Sequence, residues 1–169
     1  NDIIFDRHGD MWFTDHGKTY GRHMDCGAVY HAAPDGSFIQ QAIFPMITPN
    51  GCGLSADEQT LYVSETETGR LWQWPITGRG TLEKKLWPSP NGGTIVGGST
   101  GYQRFDSMAL EANGNICVGT LVTGGITVFS PDGQKLEYWE GPEPYCTNIC
   151  FGGPDMKTAY ITVSGTGLL

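Results

Sequence analysis

The chain has 169 residues, 25 of them Gly, and a formal net charge of −8. That length suits one domain or part of a larger one, and the turn-rich composition is closer to an all-β domain than to a helical bundle. An acidic chain without Lys/Arg clusters is a poor match for nucleic acid or an anionic membrane, and no apolar run approaches the ~20 residues of a membrane-spanning helix.

In chain order the predicted elements repeat. "NDIIFDRHGDMWFTD" from Asn1 reads as strand, turn, strand, and "GAVYHAAPDGSFIQQAI" from Gly27 adds two more strands. "NGCGLSADEQTLYVSET" from Asn50 restarts the pattern, and "RLWQWPITGRGTLEKKLW" from Arg70 continues it with a longer connection. "DSMALEANGNICVGT" from Asp106 and "GITVFSPDGQKLEYWEG" from Gly125 repeat it again, and "NICFGGPDMKTAYIT" from Asn148 begins a fourth copy. Pro-Asp-Gly between alternating runs is a turn with a mechanism: Pro presets φ and Gly accepts positive φ. Four antiparallel strands per repeat, at repeat starts 49, 56 and 42 residues apart, point to β-propeller blades. The expectation is an all-β chain, residues 1–169 as a single partial propeller domain, with repeats starting near 1, 50, 106 and 148. Three blades and half of a fourth predict a piece of a larger ring. An intact four-bladed ring is the alternative, and the unfinished last repeat argues against it.

In a propeller the first strand of each blade lines the central channel. Asn1, Asn50, Asp106 and Asn148 hold equivalent places, so they converge although far apart in sequence. A ring of carboxylate and carboxamide oxygens suits a hard divalent cation. Asn and Asp also favour strand starts because they hydrogen-bond nearby backbone, and spacing alone leaves both readings open.

The remaining polar residues read as structural. His8, His16, His23 and His31 are expected to be solvent-exposed loop histidines, with the segment from His16 to Gly27 able to fold over the channel mouth. Glu65 and Glu67 read as a solvated strand end or partners of Arg70. Asp10, Asp35, Asp57, Asp132 and Asp155 read as turn residues. Trp12, Trp72, Trp74, Trp87 and Trp139 are expected to pack between blades. "GGTIVGGSTG" lacks the Gly-Lys-Ser/Thr ending of a phosphate loop and reads as a mobile loop. Ser99 stands in a Gly-x-Ser-x-Gly pattern (Gly97 to Gly101), but no helical run follows it to form a nucleophile elbow, which disfavours a serine hydrolase. The five cysteines form no Cys-x-x-Cys pair, and no His lies near Cys146 or Cys150 at zinc spacing. They read as reduced, mostly buried residues of a cytosolic protein. The chain does not begin with Met, so the missing leader is uninformative.

Five stretches carry a family resemblance: "NDIIFDRHGDMWFTD", "PNGCGLSADEQTLYVSET", "FDSMALEANGNICVGT", "GGITVFSPDG" and "CTNICFGGPDMKTAYIT". Together they resemble the gluconolactonase, regucalcin (senescence marker protein) and luciferin-regenerating family of six-bladed propellers. The resemblance implies hydrolysis of sugar lactones at one divalent metal on the axis, calcium first, with magnesium, manganese or zinc as alternatives. It implies Asn50 and Asp106 as metal ligands, Asp106 as the catalytic residue, and Asn1 and Asp2 as substrate-binding residues. A further Glu ligand would lie upstream of Asn1. The implied partner is a small-molecule lactone. A non-catalytic propeller that binds a protein or peptide is the competing reading, and a strictosidine-synthase-like or phosphotriesterase-like esterase is a third.

Overall fold

The computed structural model describes residues 1–169, the side chain of Leu136 excepted. Its strands form four antiparallel sheets in succession. The first holds β1 (Ile3–Phe5), β2 (Met11–Asp15), β3 (Gly27–Ala32) and β4 (Ile39–Met46). The second holds β5 (Pro49–Leu54), β6 (Thr60–Glu65) and β7 (Arg70–Gly78), with the short β8 (Thr81–Leu82) on the far end of β7 and β9 (Thr94–Gly98) as the outer strand. The third holds β10 (Arg104–Leu110), β11 (Ile116–Leu121), β12 (Gly125–Phe129) and β13 (Lys135–Glu140). The fourth holds β14 (Cys146–Gly152) and β15 (Thr158–Val163). Each sheet is a propeller blade entered from its inner strand.

The core lies between blades, and strand alternation explains it. Leu61 and Val63 face the first blade, where they join Trp12, Ile43, Trp72 and Trp74. Tyr62, between them, faces the third blade with Leu71, Phe105 and Phe129. Ile116 and Val118 enter that same layer, and Cys117 turns to Ile126, Val128 and Ile149 on the other side. A blade covered on both faces needs apolar residues at consecutive positions, which is why "LYV" and "ICV" do not alternate with polar residues.

Two expectations need correction here. "GGTIVGGSTG" is no loop: Thr94–Gly98 pairs with β7 as an outer strand. Its glycines reflect close packing, since a Cβ on Gly97 would sit 2.6 Å from the Phe129 ring. Of the tryptophans, Trp12, Trp72 and Trp74 are inter-blade residues, whereas Trp87 is 90% and Trp139 64% exposed. All five cysteines are free; Cys52, Cys117 and Cys146 are buried, and Cys26 and Cys150 are exposed.

Candidate functional site

The inner-strand registers align the four predicted anchors. Each hairpin closes on a pair: Phe5 with Met11, Leu54 with Leu61, Leu110 with Ile116 and Gly152 with Thr158. Asn1, Asn50, Asp106 and Asn148 each stand four residues before the first member of its pair. Register shifts fall at the anchors of the last three blades: between Pro49 and Cys52, between Phe105 and Met108, and between Cys146 and Asn148. A bulge re-aims a side chain out of the ladder, so these irregularities present the anchors at one end of the strands.

Asn50, Asp106 and Asp2 come together. Asn50 is 5% exposed. Its Nδ2 donates to Thr66 Oγ1 at 3.0 Å, while its Oδ1 is buried without a hydrogen-bond partner among the described residues. Its carbonyl accepts from Thr14 Oγ1 at 2.6 Å, tying the first two blades together. Asp106 Oδ1 accepts from the Ser107 N–H at 3.0 Å, and its carbonyl accepts from Ser64 Oγ at 2.6 Å. Asp2 bridges blades in the same way: Oδ1 accepts from the Ile3 N–H at 3.0 Å and Oδ2 from the Cys52 N–H at 3.2 Å. Asn1 and Asn148 are exposed; Asn148 Oδ1 caps the Ile149 N–H at 2.7 Å.

Burial raises the Asp106 carboxyl to about 6; the neighbouring Asn50 amide and the Ser107 N–H pull it down, and the Asp2 charge pushes it up. Burial also raises Asp2, against the N–H groups of Cys52 and Ile3. Two carboxyls held above their usual range beside an unpartnered amide oxygen are groups that gain from a cation. The donor set is all hard oxygen, which fits a divalent ion such as calcium or magnesium.

A carboxyl that titrates higher in the fold than in the unfolded chain makes the native state the better proton binder. The contribution of Asp106 to metal-free stability is therefore present below about pH 4 and lost as pH rises through about 6. Chemical denaturation of metal-free protein should show this decline, and Asp106→Asn should flatten it; an unchanged profile in the variant would assign the decline to other groups.

The floor of the site is built by residues that read as ordinary in the sequence. Glu65 is 2% exposed, not a solvated strand end. Its carboxylate accepts from Trp72 Nε1 at 2.9 Å, Thr68 Oγ1 at 2.6 Å and the Ile47 N–H at 2.8 Å. Thr48 takes a left-handed φ of 48°, held by the Thr66 and Glu67 N–H groups on its carbonyl and hydroxyl. These bonds fix the turn that presents Thr66 to Asn50. His16, in the loop expected over the channel mouth, is half-buried, and burial lowers its pKa while Glu67 raises it.

A second polar cluster lies at the opposite end of the first blade. His31, expected in a loop, is 1% exposed in β3. Its Nε2 lies 3.3 Å from Asp6 Oδ2 and 3.6 Å from Asp10 Oδ2. Asp10, expected as a simple turn residue, is 2% exposed. The three offer ligand atoms within 4.8 Å of one another. They already have partners: Trp12 Nε1 donates to Asp6 at 3.3 Å, and Arg79 grips Asp10 with Nε at 2.5 Å and a second nitrogen at 2.8 Å. The Arg79 guanidinium holds Asp10 below the usual carboxylate range. A guanidinium occupies the place a cation would take.

Residues 1–165 match the family described as the SMP-30/Gluconolactonase/LRE-like region. The chain belongs to this family. Among curated relatives it is similar to the lactonase drp35 of Staphylococcus saprophyticus, 32% identical over 136 residues. That alignment covers 80% of this chain and 40% of the relative, so the chain spans less than half the length of the lactonase. Among solved structures it is similar to a calcium-binding protein, regucalcin, from Agrobacterium tumefaciens: TM-score 0.77, 27% identity, 96% of this chain and 52% of that one. It is also similar to a gluconolactonase from Xanthomonas campestris, with TM-score 0.75, 27% identity, and coverage of 96% and 53%. Family membership bears out the propeller architecture.

Proposed function

We propose that the full-length protein opens lactones of hydroxylated, sugar-like acids at one divalent cation held by Asn50 and Asp106. Calcium is the first choice of ion, with magnesium, manganese and zinc as competitors. The observation that carries this reading is the buried Asn50 Oδ1, which lacks a hydrogen-bond donor and lies beside a carboxyl raised to about 6. Similarity to lactonases and gluconolactonases supports the reaction class. The Asp6–Asp10–His31 cluster is the rival place for the ion, and the Arg79 clamp on Asp10 disfavours it.

A cation held there supplies positive charge that polarises an ester carbonyl. The chain's own residues do the rest. Asn50 contributes a neutral oxygen fixed by its bond to Thr66. Asp106 contributes charge through one oxygen, and its carboxylate accepts a proton from the attacking water. The Ser107 N–H on Oδ1 keeps that carboxylate from rotating. Asp2, locked between two N–H groups, and Asn1 at the rim accept from and donate to substrate hydroxyls. The proton taken from water then passes to the ring oxygen as the carbonyl–oxygen bond breaks, giving a hydroxy acid. A further carboxylate from upstream of Asn1 would complete the charge balance around the ion.

The test is an assay of the full-length protein on a panel of aldonolactones, after chelation and again with each ion restored. Ring opening should vanish on chelation and return with one of the ions. A folded protein that opens no lactone with any ion would leave the protein-binding propeller as the better reading.

A further inference from the structure

A cavity of about 170 Å³ lies between the second and third blades, on the same end as Asn50 but outside the central channel. Ser99 and Thr100 line it from the β9–β10 connection, Thr120 and Thr127 from β11 and β12, and Lys135 and Tyr138 from β13. No lining residue is acidic, in a chain with 18 acidic and 10 basic residues.

The hydrogen bonds show which groups are free to donate. Thr120 and Thr127 are buried and share a hydroxyl bond of 2.7 Å, and Thr120 also reaches the Val118 carbonyl at 3.2 Å. That pair closes one wall and is self-satisfied. Tyr138 spends its hydroxyl proton on the Gly124 carbonyl at 2.8 Å. Gln103 Oε1 accepts the Thr123 N–H at 3.1 Å and the Thr123 hydroxyl at 3.2 Å, which fixes the amide's orientation and leaves its NH₂ without a partner among the described residues. The Lys135 ammonium sits 5.3 Å from the Tyr138 ring centre. The ion pairs of the described residues use Arg7, His31, Arg79 and Arg104, and Lys135 is in none of them. Among the lining residues the Lys135 ammonium, the Gln103 NH₂ and the hydroxyls of Ser99 and Thr100 have no hydrogen-bond partner among the described residues, so the uncommitted groups are donors and positive charge.

We propose that this cavity binds a tetrahedral oxyanion, a phosphate ion or the phosphoryl group of a small phosphomonoester. Charge-assisted hydrogen bonds from Lys135, with neutral donors around them, are the chemistry that recognises such a group. The volume of about 170 Å³ corresponds to roughly five to six waters at ~30 Å³ each, room enough for a phosphate. The site stands independently of the lactonase reading, because none of its residues touches Asn50, Asp2 or Asp106 through the bonds described above.

The test is a calorimetric titration of the full-length protein with inorganic phosphate and, separately, with glycerol phosphate, against chloride at equal ionic strength. Saturable one-to-one binding is expected, weakened about tenfold or more in Lys135→Gln. That lysine is exposed, so the variant should melt as the parent does. Gln103→Glu, which puts a carboxylate on the wall, should abolish binding. Equal binding of both probes assigns the site to a phosphoryl group in general, and binding of inorganic phosphate alone assigns it to the free ion. Asp106→Asn should leave phosphate binding unchanged. The proposal is overturned by absence of saturable binding up to about 10 mM. It is overturned equally by binding that survives Lys135→Gln and disappears in Asp106→Asn, which would put the phosphate on the axial cation.

Discussion

Asp106→Asn is expected to lower divalent-cation affinity about 100-fold or more and to reduce lactone opening to background. The substitution keeps shape and the Ser107 N–H contact but removes the one charge that faces Asn50 directly. It leaves Asp2 as the remaining carboxylate of the site, held by the Ile3 and Cys52 N–H groups. The folded protein should be no less stable without metal, because a carboxyl raised to about 6 is a buried charge that costs stability at neutral pH. Loss of function with retained or improved metal-free stability is thus the signature of a residue kept for its charge. Loss of function together with a collapsed melting transition would indicate a structural role instead, and parallel activity and denaturation measurements separate the two.

Gly51→Ala is expected to damage the same site without touching a ligand. A Cβ at residue 51 would lie 2.8 Å from the Asp106 carbonyl and 2.8 Å from the Ser107 Cα, both of them backbone. The clash cannot be relieved by a side-chain rotation, so β5 and β10 must separate. Overpacking of this kind costs about 1–3 kcal/mol. The larger effect should fall on function, because Asn50 and Asp106 ride on the two strands being pushed apart. Misplaced supporting groups typically cost about 10–100-fold in metal affinity. Gly36→Ala serves as the control: that turn has open space around it, and its positive φ of 76° makes the cost local backbone strain alone. An Ala at 51 with parental metal affinity would show that the two strands do not set the distance between the ligands.

The propeller was legible because its signals repeat. Four Asn or Asp residues at one register position, each followed by a turn and a strand of consecutive apolar residues, mark the blades without knowledge of any contact. The family resemblance then singled out Asn50 and Asp106, and the structure places both beside Asp2. Polar pairs formed across blades were not legible. Asp10 and Arg79 are 69 residues apart, and neither spacing nor composition relates them. Glu65 and His31 run against the usual solvation of a polar residue at a strand end or in a loop, because Trp72 Nε1 bonds Glu65 and the Trp12 ring lies tilted against His31 in the core. The outer strand of the second blade was hidden by glycines, which mark flexibility in a loop but close approach under a ring such as Phe129. The bulges at the anchors carry no sequence signal beyond the Asn or Asp they re-aim.

Whether one cation sits between Asn50 and Asp106 is decided by a proton-linked metal titration. Calcium and magnesium would be titrated calorimetrically into the full-length parent, Asp106→Asn and Asp6→Asn, at pH 5 and pH 7, in buffers of different ionisation enthalpy. One ion per chain is expected, with affinity lower at pH 5 and release of a proton from Asp106, loss of binding in Asp106→Asn, and parental binding in Asp6→Asn. Binding that persists in Asp106→Asn and disappears in Asp6→Asn would contradict it and move the ion to the Asp6–Asp10–His31 cluster at the opposite end of the blade.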